Sequence, residues 1–536
     1  MINKLCQYYV TPALMLALRP SLAKLTLGTL SEIFAAMAKI GALLCLIQLI
    51  DDLSNQWVYG AIGLWIFSAL LSSLSSWLVH NAESLFSARL RRQVAQHLTR
   101  LPSKTLSRYG DNQLRRLVSE DINTLHHMVA HLPSEFVTFA IVPVMSITIM
   151  LNMAGPIALL TLLPGLIASL YYLVFLPRFA AKYGAERMNI MGEIVTAVND
   201  YTRGIRVNRV YGTQSGALAS YHGATQRFTS GIIKWVGSVA LPASIAIALL
   251  QAVSTFAITY SIAYRLSPSA MASVFFFGLA VVSPVLKLGH GLDYVTAGKN
   301  AAKNIGKLLK QTPISCGNVN IGSKTLPLQA SKISVINDTT TIIDSFTHRF
   351  PTGSCTAIMG PSGIGKSTLL RILAGQEVPY SGTTMLGSYE LSTLTEMSRH
   401  MAIRYVPQDI AVLKTTVRQN LQLTAPNACD SEFFDALALA EVDINLDYDA
   451  SLLSGGQQQR GALASIFLNQ ASIFLLDEPT SALDKKTALS IMQNLTEFAQ
   501  KENKTIVMVT HDAELAQRAD FILTLQKNAQ LQDEEV

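Results

Sequence analysis

Six long apolar stretches constrain the first half of this chain. They cover approximately residues 25–50, 57–80, 133–153, 155–177, 236–263 and 268–290. Each is long enough to cross a hydrocarbon core of about 30 Å at about 1.5 Å per helical residue. Inside lipid the backbone must satisfy its own hydrogen bonds, so segments of this kind are helical. The composition agrees: 50% of the 536 residues are hydrophobic and only 15% are charged, against about 25% charged in a soluble domain. We therefore expect a membrane all-α domain of six transmembrane helices over residues 1–310. An earlier apolar run, Tyr9 to Leu18, is interrupted by Pro12 and is too short to span. It reads as an amphipathic helix at the cytoplasmic interface.

The net charge of +6 fits either an anionic partner or a membrane topology, and its distribution decides. The gaps 81–132 and 178–235 carry eight Lys and Arg residues each, whereas the three short gaps together carry only Arg265. Positive residues stay on the cytoplasmic side, which makes both long gaps and both ends of the domain cytoplasmic. Topology accounts for the basic surplus, and no nucleic-acid patch is needed. The long gaps keep helical periodicity, with breaks at 101–110 and 211–214 where short crossing helices could dock on another domain. Glu32 and Lys39 lie seven residues apart within the first span, on one helix face. Charges at that depth are costly, so they line a wet cavity or pair with other helices. The five cysteines are scattered without a C-x-x-C pair, which suggests neither zinc ligation nor a disulfide framework.

Beyond a linker near residues 310–322 the composition becomes that of a soluble α/β domain, residues 316–536, with short β-branched runs alternating with helices. Its centre is Gly360, Pro361, Ser362, Gly363, Ile364, Gly365, Lys366 and Ser367, which fits G-x-x-x-x-G-K-[ST]. A strand-like run, Cys355 to Met359, precedes it, and a helical run beginning at Thr368 follows it. Backbone N–H groups of such a loop turn inward onto phosphate oxygens at a helix start. Lys366 would reach the β- and γ-phosphates of ATP, and Ser367 would offer its hydroxyl to Mg²⁺. The apolar run Ser472 to Leu476 ends in Asp477 and Glu478. Asp477 can hold Mg²⁺ through water, and Glu478 can polarise an attacking water as general base.

The first half resembles a known family at Arg108-Tyr109-Gly110 through Asp121-Ile122, which is similar to the first intracellular loop of exporter-fold (type IV) ABC transporters. The runs His127 to Pro133 and Ile141-Val142-Pro143 resemble the paired half-transporters that move siderophores across bacterial inner membranes. In the second half the family's cassette motifs follow in order. Tyr405-Val406-Pro407-Gln408 resembles the Q-loop, which implies that Gln408 touches Mg²⁺ or the attacking water. Leu453, Ser454, Gly455, Gly456 and Gln457 resemble the signature, which addresses ATP held by the opposite subunit. Ser481 to Asp484 resembles the D-loop, and His511 the switch histidine.

Three departures from the family pattern stand out. Asn337 occupies the place of the aromatic residue that stacks on adenine. Residues Asp447 to Ser451 lack the usual glutamate–glycine pattern. The segment from Gln408 to Ser454 looks short.

The resemblance implies an ATP-hydrolysing half-transporter: six transmembrane helices fused to a P-loop NTPase of the ABC cassette type. It would work as a homodimer or with a homologous half. It would sit in a bacterial inner membrane with its cassette in the cytoplasm, and export a siderophore-like small molecule. Uptake of a ferric siderophore by the same fold is the alternative. Export of another peptide, lipid or drug-like substrate and transport of small thiols stay open, and a membrane-anchored ATPase of an assembly machine is the reading from another class.

Overall fold

The computed structural model describes residues 12–211, 217–237, 241–249, 252–322, 325–337, 340–408, 412–526 and 532–535. It divides into two compact units: Met1–Gln96 with Asp111–Lys310, and His97–Gly110 with Gln311–Val536.

The first unit is helical. Among the described residues, three helices have the length and apolar composition to cross a membrane: Pro12–Asp51, Asn55–Leu98 and Asn112–Ala154. Shorter apolar helical stretches occupy Ala158–Ile167 and Pro268–Val282. The stretch expected over 236–263 includes residues outside the described set. Large apolar side chains point outward from the second helix, among them Trp65, Phe67, Leu70 and Trp77, as a lipid-facing surface requires.

Between the first two helices the contact is made by small residues. Ser31 Oγ donates to Leu71 O and Ser68 Oγ to Ala35 O, both at 2.8 Å. A Cβ added at Gly28 would lie 2.6 Å from Val79 Cγ2. Small side chains that let backbones approach and hydroxyls that bond across the seam are how helices associate without a hydrophobic driving force. The helix Pro268–Leu309 packs along Leu132–Ala154, Asp121–Ala130 and Leu22–Asp51. Ile40, Ile47, Val142, Met150, Val274 and Phe277 form the core there. Asp121 is buried and accepts from Arg116 Nε at 3.1 Å and Asn304 Nδ2 at 3.3 Å. The short helix Pro12–Leu18 packs one face into the protein and leaves Leu16 exposed. Leu14 and Leu18 are buried in protein, and Arg89 Nε and Gln93 Nε2 donate to the carbonyls of Ala17 and Ala13.

The second unit holds two sheets. β1 (Leu328–Asn337), β2 (Thr340–Phe350), β4 (Ser381–Leu386) and β5 (Tyr389–Glu390) form an antiparallel sheet in the order β2-β1-β4-β5. The other runs β10-β9-β3-β8-β7-β6. Its strands are β3 (Cys355–Met359), β6 (Ile403–Val406), β7 (Ile473–Asp477), β8 (Thr505–Val509), β9 (Phe521–Thr524) and β10 (Gln532–Glu535). All are parallel except β10.

β7 and β8 are buried at every position, as expected of central parallel strands covered by helices on both faces. The helix Lys366–Leu373 buries Leu369, Leu370 and Leu373 against the sheet, and Lys485–Lys501 buries Ile491, Met492 and Leu495. This parallel order brings the carboxyl ends of four neighbouring strands, β6, β7, β8 and β3, to one edge, where open α/β sheets bind ligands.

Candidate functional site

Each of those four strand ends delivers chemistry. β3 leads into Gly360–Ser367, β6 into Gln408, β7 into Asp477 and Glu478, and β8 into Thr510 and His511. The loop after β3 depends on glycine. Gly365 has φ +96°, and a Cβ there would lie 2.7 Å from Ile342 Cγ2. Gly360 has φ +148°, and a Cβ there would lie 2.7 Å from Leu525 O. Side chains at these points would force the loop off the sheet edge.

Lys366 is buried and folds back over the loop, donating to Gly360 O at 2.7 Å and Pro361 O at 2.9 Å. Burial pulls its ammonium below the ordinary lysine value, opposed by Glu478 and Asp477. Ser367 Oγ donates to Asp477 Oδ1 at 2.9 Å, and Tyr405 OH to Asp477 Oδ2 at 3.2 Å. Burial is the main force that raises the Asp477 carboxyl above its usual range, while those two hydrogen bonds oppose it.

Glu478 follows β7 with φ +49°, an uncommon conformation for a side chain other than glycine. Gln408 Nε2 donates to its Oε2 at 2.8 Å, and His511 Nε2 lies 2.6 Å from its Oε1. A carboxylate held between an amide and an imidazole at the mouth of a phosphate loop is oriented to polarise a water.

Ser454 caps the helix Gly455–Phe467 in a capping box: Gln457 N donates to Ser454 Oγ at 3.3 Å, and Ser454 N donates to Gln457 Oε1 at 3.0 Å. Among the described residues no hydrogen bond joins Ser454, Gly455, Gly456 or Gln457 to residues 360–368. The site residues expected from sequence thus fall into two groups. Gly360 to Thr368 meet Gln408, Asp477, Glu478 and His511, and the 454–457 turn stands apart from them. Asn337 ends β1, and its side chain lies outside the described residues.

Two residues make contacts that their motifs did not imply. Tyr405 closes the carboxylate cluster. Gln459, buried, donates through Nε2 to Glu478 O at 3.2 Å and accepts at Oε1 from Ala482 N at 3.1 Å. It joins the helix of the 454–457 turn to the backbone of Glu478 and to the segment Ser481–Asp484.

The membrane unit contains a cavity of about 440 Å³ whose polar lining includes Glu32, His127, His131, Glu135 and Tyr294. Ser72 Oγ donates to Glu32 Oε2 at 3.1 Å. His127 stacks on Tyr294 at 4.8 Å between ring centres. Nδ1 of His127 and Oε2 of Glu135 are buried without a hydrogen-bond partner, which is costly unless something else satisfies them. Of the two charges noted in the first span, Glu32 faces this cavity, while Lys39 is exposed and outside its lining.

Residues 343–481 match the family described as ABC transporter, and residues 25–285 match the ABC transporter transmembrane region. The chain is 25% identical over 503 residues to the mycobactin import ATP-binding/permease protein IrtA of Mycolicibacterium smegmatis, covering 88% of this chain and 56% of that protein. It thus spans little more than half the length of that relative. It is 32% identical over 214 residues to the energy-coupling factor transporter ATP-binding protein EcfA1 of Mycoplasma mobile, covering 38% of this chain and 78% of that one. In fold it is similar to a bacterial Atm1-family ABC exporter solved with ATP bound: the TM-score is 0.74 at 18% identity, with 95% of this chain and 94% of that one covered.

Proposed function

Because the chain belongs to the ABC transporter family and joins that family's transmembrane region to its ATP-binding cassette, we propose that it is a half-transporter that couples ATP hydrolysis to movement of a siderophore-like small molecule. The observation that carries this reading is the meeting of Lys366, Ser367, Gln408, Asp477, Glu478 and His511 at one sheet edge. Residues Gly360 to Thr368 cradle the phosphates through backbone N–H groups, with Lys366 exchanging its loop carbonyls for phosphate oxygens. Glu478 acts as general base, held in place by Gln408 and His511.

The oxygen donors around Asp477 suit a hard divalent cation. Ser367, Asp477 and the amide oxygen of Gln408 would hold Mg²⁺, and the burial that raises the Asp477 carboxyl is what a cation there relieves. Bound, Mg²⁺ neutralises charge on the phosphate oxygens.

The separation of Ser454 to Gln457 from the phosphate loop supports a working site shared between two cassettes. The partner is a second half-transporter, identical or homologous. The functional boundary falls between residues 310 and 316, and the chain lies in a bacterial inner membrane with its cassette in the cytoplasm. The cavity lined by Glu32, His127 and Glu135 supports a polar substrate.

Export is the direction expected from sequence, and the mycobactin-import names of the relatives favour uptake as the second reading. Vesicles of known orientation holding the purified chain decide both points. ATP supplied on the cassette side drives labelled ferric or iron-free siderophore out of or into the cassette-side space. Glu478→Gln binds ATP, hydrolyses it about 10²–10⁴-fold more slowly and abolishes movement. Near-normal turnover in that variant would refute the assigned base, and no ATP-dependent movement of either form would refute the substrate class.

A further inference from the structure

We propose that His80, His126 and His131, beside the cavity of the membrane unit, form a binding site for a divalent first-row transition-metal ion. His80 comes from the helix Asn55–Leu98, His126 from the helix Asp121–Ala130, and His131 from the residue after it. One ring nitrogen from each lies within 4.8 Å of the other two. The ring centres stand 5.5, 5.2 and 5.4 Å apart, at interplanar angles of 50°, 72° and 74°. Three imidazoles on one tetrahedral ion, with metal–nitrogen bonds of about 2.0–2.1 Å, have their ring centres about 5.3 Å apart. The triangle has about that size on all three sides.

The outer contacts fit as well. His80 Nδ1 lies 2.8 Å from Ser76 O, and the carbonyl can only accept. His126 Nδ1 lies 3.0 Å from Glu83 Oε2. A proton on Nδ1 of each ring would satisfy these contacts and leave Nε2 as the lone-pair nitrogen. Glu83 is buried, and Ser87 Oγ donates to its Oε1 at 2.6 Å. A carboxylate behind a ligating histidine fixes its tautomer, orients it and raises its basicity. Glu83 also supplies one negative charge against the cation. His80 and His131 line the cavity, so the fourth coordination position opens to a solute there. Imidazole ligands suit Zn²⁺, Co²⁺, Ni²⁺ and Cu²⁺ better than Mg²⁺ or Ca²⁺.

The site lies wholly within the membrane unit and does not depend on ATP-driven transport. Its test is a titration of the full chain in detergent, with any affinity tag removed, using Co²⁺ followed by visible absorption. We expect d–d bands that saturate at one Co²⁺ per chain and bleach with one equivalent of Zn²⁺. His126→Ala and His131→Ala weaken binding at least about tenfold, and Glu83→Gln by about tenfold. His222→Ala, on the helix Ala217–Trp235, leaves it unchanged. Absence of d–d bands with concentrated wild-type chain and equimolar Co²⁺ overturns the proposal. So does unchanged affinity in His80→Gln and His131→Gln, milder substitutions whose folding is checked by thermal melting.

Discussion

Asp477 shows how the cassette holds an acidic side chain in its interior. Its carboxyl is raised mainly by burial. A raised carboxyl favours the folded state most when protonated, and that contribution is lost as pH climbs from the ordinary carboxylate range through the raised value. Above the raised value the nucleotide-free chain keeps a poorly solvated anion. Asp477→Asn should melt at a higher temperature than wild type without nucleotide or Mg²⁺, and the gap should close as pH falls into the carboxylate range. Melting curves across that range check the sign. Lys366 was legible from the glycine-rich loop that precedes its helix, Glu478 from its place after an apolar strand, and His511 only through the family resemblance. The contacts of Tyr405 and Gln459 were not. Both lie in or beside motifs read from sequence, but they acquire these contacts from partners that only the fold brings close: Asp477 for one, Glu478 O for the other.

The same contrast holds for whole elements. The break near 101–110 was readable from its proline and glycine, and a helix, Ser103–Leu106, forms there. Its partners were not readable, because they are carbonyls and carboxylates almost three hundred residues away. Ser103 N donates to Gln376 O at 3.0 Å and Lys104 N to Glu377 Oε2 at 2.8 Å, and Arg100 pairs with Glu396 at 2.8 Å. The corresponding break at 211–214 falls on residues mostly outside the described set. Arg100 and Glu396 are both partly exposed, so the pair adds little stability, about 0–1 kcal/mol. Its worth lies in fixing where this short helix sits. Arg100→Ala should leave the melting temperature nearly unchanged and keep ATP hydrolysis, yet lower the number of substrate molecules moved per ATP. Parallel ATPase and transport assays on one vesicle preparation measure that ratio.

At the scale of the whole molecule, six apolar stretches and a phosphate loop were enough to specify a membrane region joined to a cassette. The antiparallel sheet β2-β1-β4-β5 was not foreseen, since its strands carry no motif residues. The proposed sharing of a site between two cassettes has a consequence for mixtures. Lys366→Ala spoils the phosphate loop and Gly455→Arg the signature turn, so each variant alone should hydrolyse little. If the chain pairs with itself, co-assembled variants regain one composite site per mixed pair. ATPase activity should then rise clearly above that of either variant alone, and a phosphate-release assay on co-expressed chains checks it.

The folded-back ammonium of Lys366 bears on how quickly such a machine can respond. The loop is already braced by its own lysine on Gly360 O and Pro361 O, so an arriving triphosphate swaps one set of oxygen partners for another and has no segment to order. Capture should be fast, with a small heat-capacity change, which leaves the slower rearrangements of the cycle to set its pace.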